Sequence, residues 1–310
     1  MKQIPVWFDC DTGVDDAVAL MALHALDEID LVAISCCCGN TTLENVCRNN
    51  YRLLNLMDAD YPVYKGAEKA LFQPFTPSTA FHGEDGLGGI DLPDPEAPVL
   101  HDEKMWDALY AAAKRYPGEL RLIVTGPLTN AAIALTKYPE LKTLLHSVLI
   151  MGGSASFGNV TTAAEFNIHA DPEAAQIVFQ SGLHIVMCGL DVTMKAVLTP
   201  ADWTELADSG CKCGRYIGPM LQGAWRVLGS IGMAGVPMHD SCPVLYLVHP
   251  ELFTAEEAGV FVETRGTVTL GKTVTDLRSD KKFGVQNTTV VLDVDRNIFI
   301  DILKDCIKKI

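Results

Sequence analysis

The sequence predicts an α/β protein: a doubly wound, open, mostly parallel sheet of Rossmann-like type, with a small C-terminal β appendage. Three observations carry that reading. Apolar runs without polar alternation recur at residues 4–8, 31–35, 120–124, 147–151 and 184–188, as in strands buried on both faces. Helix-like stretches separate them, giving the β-α-β order of a covered parallel sheet. No linker, repeat or low-complexity run divides the chain, so residues 1–310 are expected to form one domain.

The elements follow in order. Residues 4–8 run out into Asp9-Cys10-Asp11-Thr12-Gly13-Val14-Asp15-Asp16, and a helix is expected over 17–26. The strand at 31–35 ends at Gly39-Asn40-Thr41, before a helix at 43–57 and a short strand at 61–65. Residues 72–98 carry Pro74, Pro77, Pro93, Pro95 and Pro98 with Gly83, Gly86, Gly88 and Gly89, which reads as a long loop. His82-Gly83-Glu84-Asp85-Gly86 is its polar tip, and both a lid and a plain surface excursion stay open. A helix at 103–114 precedes the strand at 120–124, and Pro127 suits the first turn of the helix that runs to Lys137. The strand at 147–151 closes at Gly152-Gly153 and leads into a polar loop, 154–168. Asp171-Pro172 starts a helix to about Ser181, as N-cap and first helical residue. Beyond the strand at 184–188, helices are expected at 200–207 and 218–233, and from His239-Asp240 towards Val248. A hairpin at 259–264 and 266–269, a strand at 288–294 and an amphipathic helix at 296–310 close the chain.

Composition narrows the partners. The 310 residues are 48% hydrophobic and carry 39 acids against 24 bases, a formal charge of -15. Such a surface argues against nucleic acid and anionic membranes and leaves room for a small neutral ligand. The N-terminus enters a strand without a secretory segment, and no apolar run has the length of a membrane span. Of the ten cysteines, Cys36-Cys37-Cys38 ends a strand and Cys211-Lys212-Cys213 lacks a second pair at zinc-site spacing. Reduced thiols in a cytoplasmic protein are expected, several of them small core hydrophobes.

The stretch from Asp9 to Asp16 has four carboxylates in eight residues. One acid at a helix start is explained by capping; four like charges are explained better by a hard cation that they share. Other polar residues also follow strands: Asn40, Thr125 and, at the end of its strand, Met151. In a parallel sheet these positions share one edge. Asp240 reads equally as a helix N-cap or a site residue. His239 is a general acid or base, or a structural histidine. Asn159, Glu165 and Asn167 suit the hydroxyls of a sugar, or form a solvated loop.

These motifs, taken together, resemble the nucleoside hydrolases, the inosine/uridine-preferring ribohydrolase family. Asp9 to Asp16 is similar to that family's N-terminal DxDxGxDD signature. Gly39-Asn40, His82-Gly83 with Asp85 to Gly88, Thr125 to Asn130, Met151-Gly152-Gly153, Glu165-Phe166-Asn167 and His239-Asp240 resemble further blocks in family order. The resemblance spans about three quarters of the chain. It implies hydrolysis of the N-glycosidic bond of ribonucleosides to ribose and free base. It also implies a Ca²⁺ ion held by Asp11, Asp16, the backbone carbonyl of Thr125 and Asp240. Asp11 would double as the base that activates water. Asp15, Asn40, His82, Met151, Asn159, Glu165 and Asn167 would bind substrate, and His239 would lie at the nucleobase as leaving-group acid. A homo-oligomer, dimer or tetramer, is implied as well. One departure concerns the leaving group: Ile231 stands where relatives commonly show Tyr or Arg, and Trp225 or Arg226 would have to substitute unless both are packing and surface residues.

Two rivals are weaker. Asp-x-Asp at a strand end also opens haloacid-dehalogenase-like phosphatases, but Gly13 breaks their motif and no late Gly-Asp-x-x-x-Asp block follows. A non-catalytic nucleoside or ribose binder would not need Asp11 beside the metal.

Overall fold

The computed structural model describes residues 2–74, 76–94, 100–101, 103–280 and 283–310. Twelve strands are β1 (Ile4–Cys10), β2 (Ile29–Cys36), β3 (Val63–Lys65), β4 (Leu100–His101), β5 (Leu120–Val124), β6 (Leu145–Met151), β7 (Ile185–Cys188), β8 (Val197–Leu198), β9 (Val236–Pro237), β10 (Phe253–Val262), β11 (Thr273–Asp276) and β12 (Thr288–Val294). Ten of them form one open sheet in the order β11-β10-β12-β7-β6-β5-β1-β2-β3-β4. Pairing is parallel from β12 across to β4, and β10 alone runs against the others, antiparallel to both of its neighbours, β12 and β11. The β appendage is therefore the antiparallel edge of the same sheet.

The sheet is covered on both faces, because side chains alternate along each strand. Val6, Phe8 and Cys10 of β1 enter one apolar core with the helices Val14–Ala25, Leu43–Leu56, Gly214–Ser230, Ser241–Val248 and Arg296–Lys308. Trp7 enters the other, with Met105–Arg115, Thr129–Lys137 and Pro172–Phe179. That is the doubly wound arrangement expected. Chain order in the sheet reverses between β1 and β5. β2 and β3 lie on one side of β1, and β5, β6 and β7 on the other. Such a switch point opens a crevice outside the carboxyl ends of the two strands, where ligands of α/β sheets bind.

Local departures have identifiable causes. The first helix begins at Val14, not at residue 17, because Asp16 Oδ2 accepts the Gly13 amide and closes its first turn. Pro127 lies just outside its helix, which starts at Thr129. Asn167 sits inside a short helix, Phe166–Ala170, that Glu165 caps through the amides of Asn167 and Ile168. The hairpin partner of β10 is β11, not 266–269. Glu263 Oε1 takes the amides of Arg265 and Gly266, which ends the strand and opens a turn. The two-residue strands β8 and β9 pair with each other, apart from the main sheet. The expected loop at 72–98 includes residue 75 and residues 95–98, which lie outside the described residues.

Candidate active site

The site is built from the crevice at the switch point outward. Asp9 is near the end of β1, Asp11 follows it, and Asp15 and Asp16 occupy the first turn of the Val14–Ala25 helix. Ser241–Val248 brings Asp240 to the same place from far along the chain. Asp240 stands at the N-cap position, yet its side chain makes no capping bond. The N-cap reading of Asp240 is therefore not met by a bond to its own helix. Asp15, Asp16 and Asp240 offer oxygens that all lie within 4.8 Å of one another, and all three side chains are buried.

The glycines make this crowding feasible. A Cβ on Gly39 would stand 1.9 Å from Asp11 Oδ2, and one on Gly13 would stand 2.3 Å from His82 Nδ1. With both bare, Asp11 Oδ2 accepts the Asn40 amide at 2.7 Å and Oδ1 accepts Asn40 Nδ2 at 3.2 Å. The same Asn40 Nδ2 reaches Asp16 Oδ2, while Thr125 Oγ1 donates to Asp16 Oδ1 at 2.7 Å. The expected ligand set and the convergent set share Asp16 and Asp240. They differ in that Asp15 joins the three-oxygen group and Asp11 stands beside it. The Thr125 carbonyl, the fourth expected ligand, accepts Asn167 Nδ2 at 2.7 Å.

Electrostatics distinguish this cluster from an ordinary acidic turn. Among the described residues no Lys or Arg is ion-paired to Asp11, Asp15, Asp16 or Asp240. Burial and then the charge of Asp16 push Asp11 well above the usual carboxylate range, and the same two causes bring Asp15 to about 7. Asp240 is also driven well up, by burial and then by Asp15 and Asp16. Burial raises Asp16 against bonds from Gly13 and Thr125. Asp15 Oδ1 is sealed and has no hydrogen-bond partner among the described residues. A hard divalent cation fits these groups. Oxygens bound at about 2.3–2.6 Å to one ion lie at most about 5 Å apart, and its charge would reverse every one of these upward shifts.

Asp9 lies outside the three-oxygen group, and its Oδ2 is sealed without a partner among the described residues. Its Oδ1 accepts Ser35 Oγ and Asn130 Nδ2, and Ser35 in turn accepts Trp7 Nε1. Burial brings it to about 7, with Ser35 and Asn130 opposing.

Two histidines belong to this region: His82 approaches Asp15, and His239, next to Asp240 in sequence, is near enough to act on His82. His82 is not at a solvent-exposed tip: the short helix Thr79–His82 lays it, buried, against the first turn of the Val14–Ala25 helix. There Nδ1 accepts the Val14 amide at 3.3 Å, so the ring proton sits on Nε2. The 4.0 Å approach of Nδ1 to Asp15 Oδ1 is therefore no ion pair; burial and then His239 lower His82 to about 3 and keep it neutral. Burial lowers His239 to about 4, and its Nδ1 lies 2.7 Å from Thr193 Oγ1.

The sugar-directed candidates divide. Glu165 is buried, accepting the amides of Gly153, Asn167 and Ile168, and burial brings it to about 7 against those bonds. Asn167 Nδ2 ties together the carbonyls of Thr125 and Met151, at the ends of β5 and β6. Met151 is buried at the same edge. Asn159 is exposed, and its Oδ1 accepts the Phe166 amide within its own loop. Ile231 is 74% exposed beyond the end of Gly214–Ser230. Trp225 packs edge-on against Trp203 and Arg226 is exposed, as packing and surface residues are. Thr193, Asn130 and Ser35 were not singled out by sequence. The signal for Thr193 was its place just after β7, at the sheet edge already suspected.

Comparison with known proteins identifies relatives of the whole chain. The family described as inosine-uridine preferring nucleoside hydrolase matches residues 6–301. A relative named pyrimidine-specific ribonucleoside hydrolase RihA, from Salmonella typhi, is 41% identical over 311 residues, 97% of each chain. Among solved structures, a purine-preferring ribonucleoside hydrolase from Gardnerella vaginalis superposes with a TM-score of 0.92 at 31% identity over 98% of each chain. One titled inosine-guanosine nucleoside hydrolase gives 0.90 at 28% identity, again over 98% of each.

Proposed function

The chain belongs to the inosine-uridine preferring nucleoside hydrolase family, and we propose that it is a Ca²⁺-dependent hydrolase of pyrimidine ribonucleosides. The observation that carries the metal is the sealed meeting of Asp15, Asp16 and Asp240 with no cation of the chain's own. Asp11, Asp16, Asp240 and the Thr125 carbonyl would hold Ca²⁺, with Asp15 close enough to share it or to meet the sugar. When bound, the ion would supply the charge that keeps these acids ionised and the attacking water acidic. The pyrimidine preference is supported by the name of the relative at 41% identity; the solved structures with purine-directed titles are more distant.

The chain's own groups then divide the work. Asp11, oriented by two bonds from Asn40, takes the proton from water as its oxygen bonds to the anomeric carbon. The C–N bond to the base breaks through an oxocarbenium-like state, whose positive charge the surrounding carboxylates favour. Asp15 and Asn167 are the groups we assign to the ribose hydroxyls: Asn167 is held by its Nδ2 bonds to the Thr125 and Met151 carbonyls, and the Asp15 carboxylate stands in the first turn of the Val14–Ala25 helix beside the metal-binding acids. His82 and His239 are held neutral, so they serve the departing base as N–H donors rather than as cations. Residues 1–310 would act as one domain. Cytoplasmic residence is supported by ten cysteines that are all free, and a homo-oligomer by the family resemblance alone.

A nucleoside panel tests this. Ribose release from uridine, cytidine, inosine and adenosine is measured with Ca²⁺ and with a chelator. Uridine and cytidine are expected to lead, and chelation to stop turnover until Ca²⁺ is restored. Faster inosine would overturn the base preference, chelator-insensitive turnover the metal, and no ribose from any nucleoside the hydrolase itself.

A further inference from the structure

The second histidine of the site is held by a residue to which no role has been given. Thr193 ends the short helix Leu190–Thr193, which begins directly after β7. It is fully buried, and its hydroxyl makes one hydrogen bond among the described residues, to His239 Nδ1 at 2.7 Å. Both partners are pinned by backbone. Thr193 donates its amide to Gly189, and Ala196 donates back to Thr193. Met238, just before His239, donates its amide to Ala196 at 2.8 Å, and the β8–β9 ladder runs on directly from that bond. The contact thus joins two anchored segments.

Hydrogen-bond accounting fixes its direction. A buried hydroxyl proton without an acceptor is costly. Among the described residues ring Nδ1 is the one partner of this hydroxyl, so the Thr193 hydroxyl donates and Nδ1 accepts. The ring proton must then sit on Nε2. Among the described residues Nε2 has no partner and is not one of the sealed polar atoms, so it stays open to a ligand. His82 reaches the same state by another route, through the Val14 amide.

We infer that Thr193 is a positioning residue: its hydroxyl locks His239 as the Nε2–H tautomer, aimed as a hydrogen-bond donor to an acceptor atom of the leaving base. This rests on the proposed hydrolase reading, in which His239 faces the nucleobase. Without the hydroxyl, the ring is free to turn or to carry its proton on Nδ1, and it then presents a lone pair to the atom that needs a donor.

The experiment pairs spectroscopy with kinetics. Long-range ¹H–¹⁵N spectra of the full chain, with His239 assigned through H239Q, report the tautomer without any need for activity. Wild type is expected to show the proton on Nε2, and Thr193→Ser to keep it there. Thr193→Val is expected to lose the fixed tautomer. On uridine, Thr193→Val should lower kcat by about tenfold, the scale of one lost hydrogen bond, with KM within about twofold, and Thr193→Ser should recover most of it. A wild-type proton on Nδ1 overturns the inference even if Thr193→Val fails to fold. So does an unchanged kcat in a folded Thr193→Val. If wild type shows Nε2–H yet releases no ribose from any nucleoside, the hydrolase reading fails while the tautomer lock stands.

Discussion

Two acidic groups in this chain are built in opposite ways. Asp202 and Glu205, on the helix Pro200–Asp208, face Arg296, Lys304 and Lys308 of the C-terminal helix. Burial works against the charge of Asp202, yet bonds from Thr199 and Arg296 leave its pKa below the ordinary value. Lys304 and then Lys308 do the same for Glu205. Asp11, Asp15, Asp16 and Asp240 are sealed with no Lys or Arg, and all of them go up. The first group is balanced by the chain itself and serves the fold. The second is left unbalanced among the described residues, and that imbalance is what the proposed cation would offset.

Removing one carboxylate from the unbalanced group should give the largest effect. Asp240→Asn is expected to lower ribose release from uridine by about a thousandfold, the scale of losing one preorganised charge at a reacting centre. In chelator at pH 7.5, the same variant should melt no lower than wild type, because one of the repelling acids is gone. A loss of activity under tenfold would break the comparison. So would a fall of several degrees in melting temperature, which would make Asp240 a fold residue of the Asp202 kind.

An intermediate effect concerns pH and metal together. The folded pKa of Asp15, about 7, lies above its unfolded value of roughly 3.9. Between those values the folded chain binds more protons than the unfolded one, so stability present at low pH is lost as pH rises through the window. Asp202 has the opposite sign, and its contribution is lost as pH falls. Ca²⁺ favours the charged acids and should flatten the first loss. At a hundredfold excess over its Kd, it is expected to raise the melting temperature by about 5 °C at pH 7.5 and by less at pH 5. Asp9 and Glu165, also near 7, keep part of the slope in place whatever the metal does. A Ca²⁺ shift as large at pH 5 as at pH 7.5 would count against the assignment.

How much of this was legible depended on whether a residue's neighbours were local. The strand pattern and the density of acids from Asp9 to Asp16 pointed to the sheet and its ligand edge, because buried parallel strands carry unbroken apolar runs and like charges close in sequence stay close in space. Asp240 was ambiguous alone, since an Asp before an apolar helix is the commonest of caps; the structure adds that it makes no capping bond. Asn130 and Ser35, which hold Asp9, look like any polar residue near a strand end until β1, β2 and β5 stand side by side. β8 and β9 are too short to show a period, so the ladder that sets Thr193 against His239 was invisible. The misplaced hairpin strand failed for a related reason: the side chain of Glu263 decided the turn, against a run of β-formers at 267–269.

The smallest effect belongs to the balanced group. Lys304 is largely buried along its stem, and its Nζ reaches Glu205 at 2.7 Å, Asp301 at 3.3 Å and Asp202 at 3.8 Å. In Lys304→Met, Asp202 keeps Arg296, Glu205 keeps Lys308, and the stem is replaced by one of similar length. Partly exposed ion pairs give little, so the melting temperature should fall by about 2 °C or less. The fall should be greater in low salt, where these charges are least screened. Turnover of uridine should stay within about twofold of wild type, since the network touches no residue of the switch-point crevice and a change that size is under half a kcal/mol at the transition state. If Lys304→Met instead cut turnover as Asp240→Asn does, the balanced acids would also serve the reaction, and charge balance would no longer tell the two groups apart.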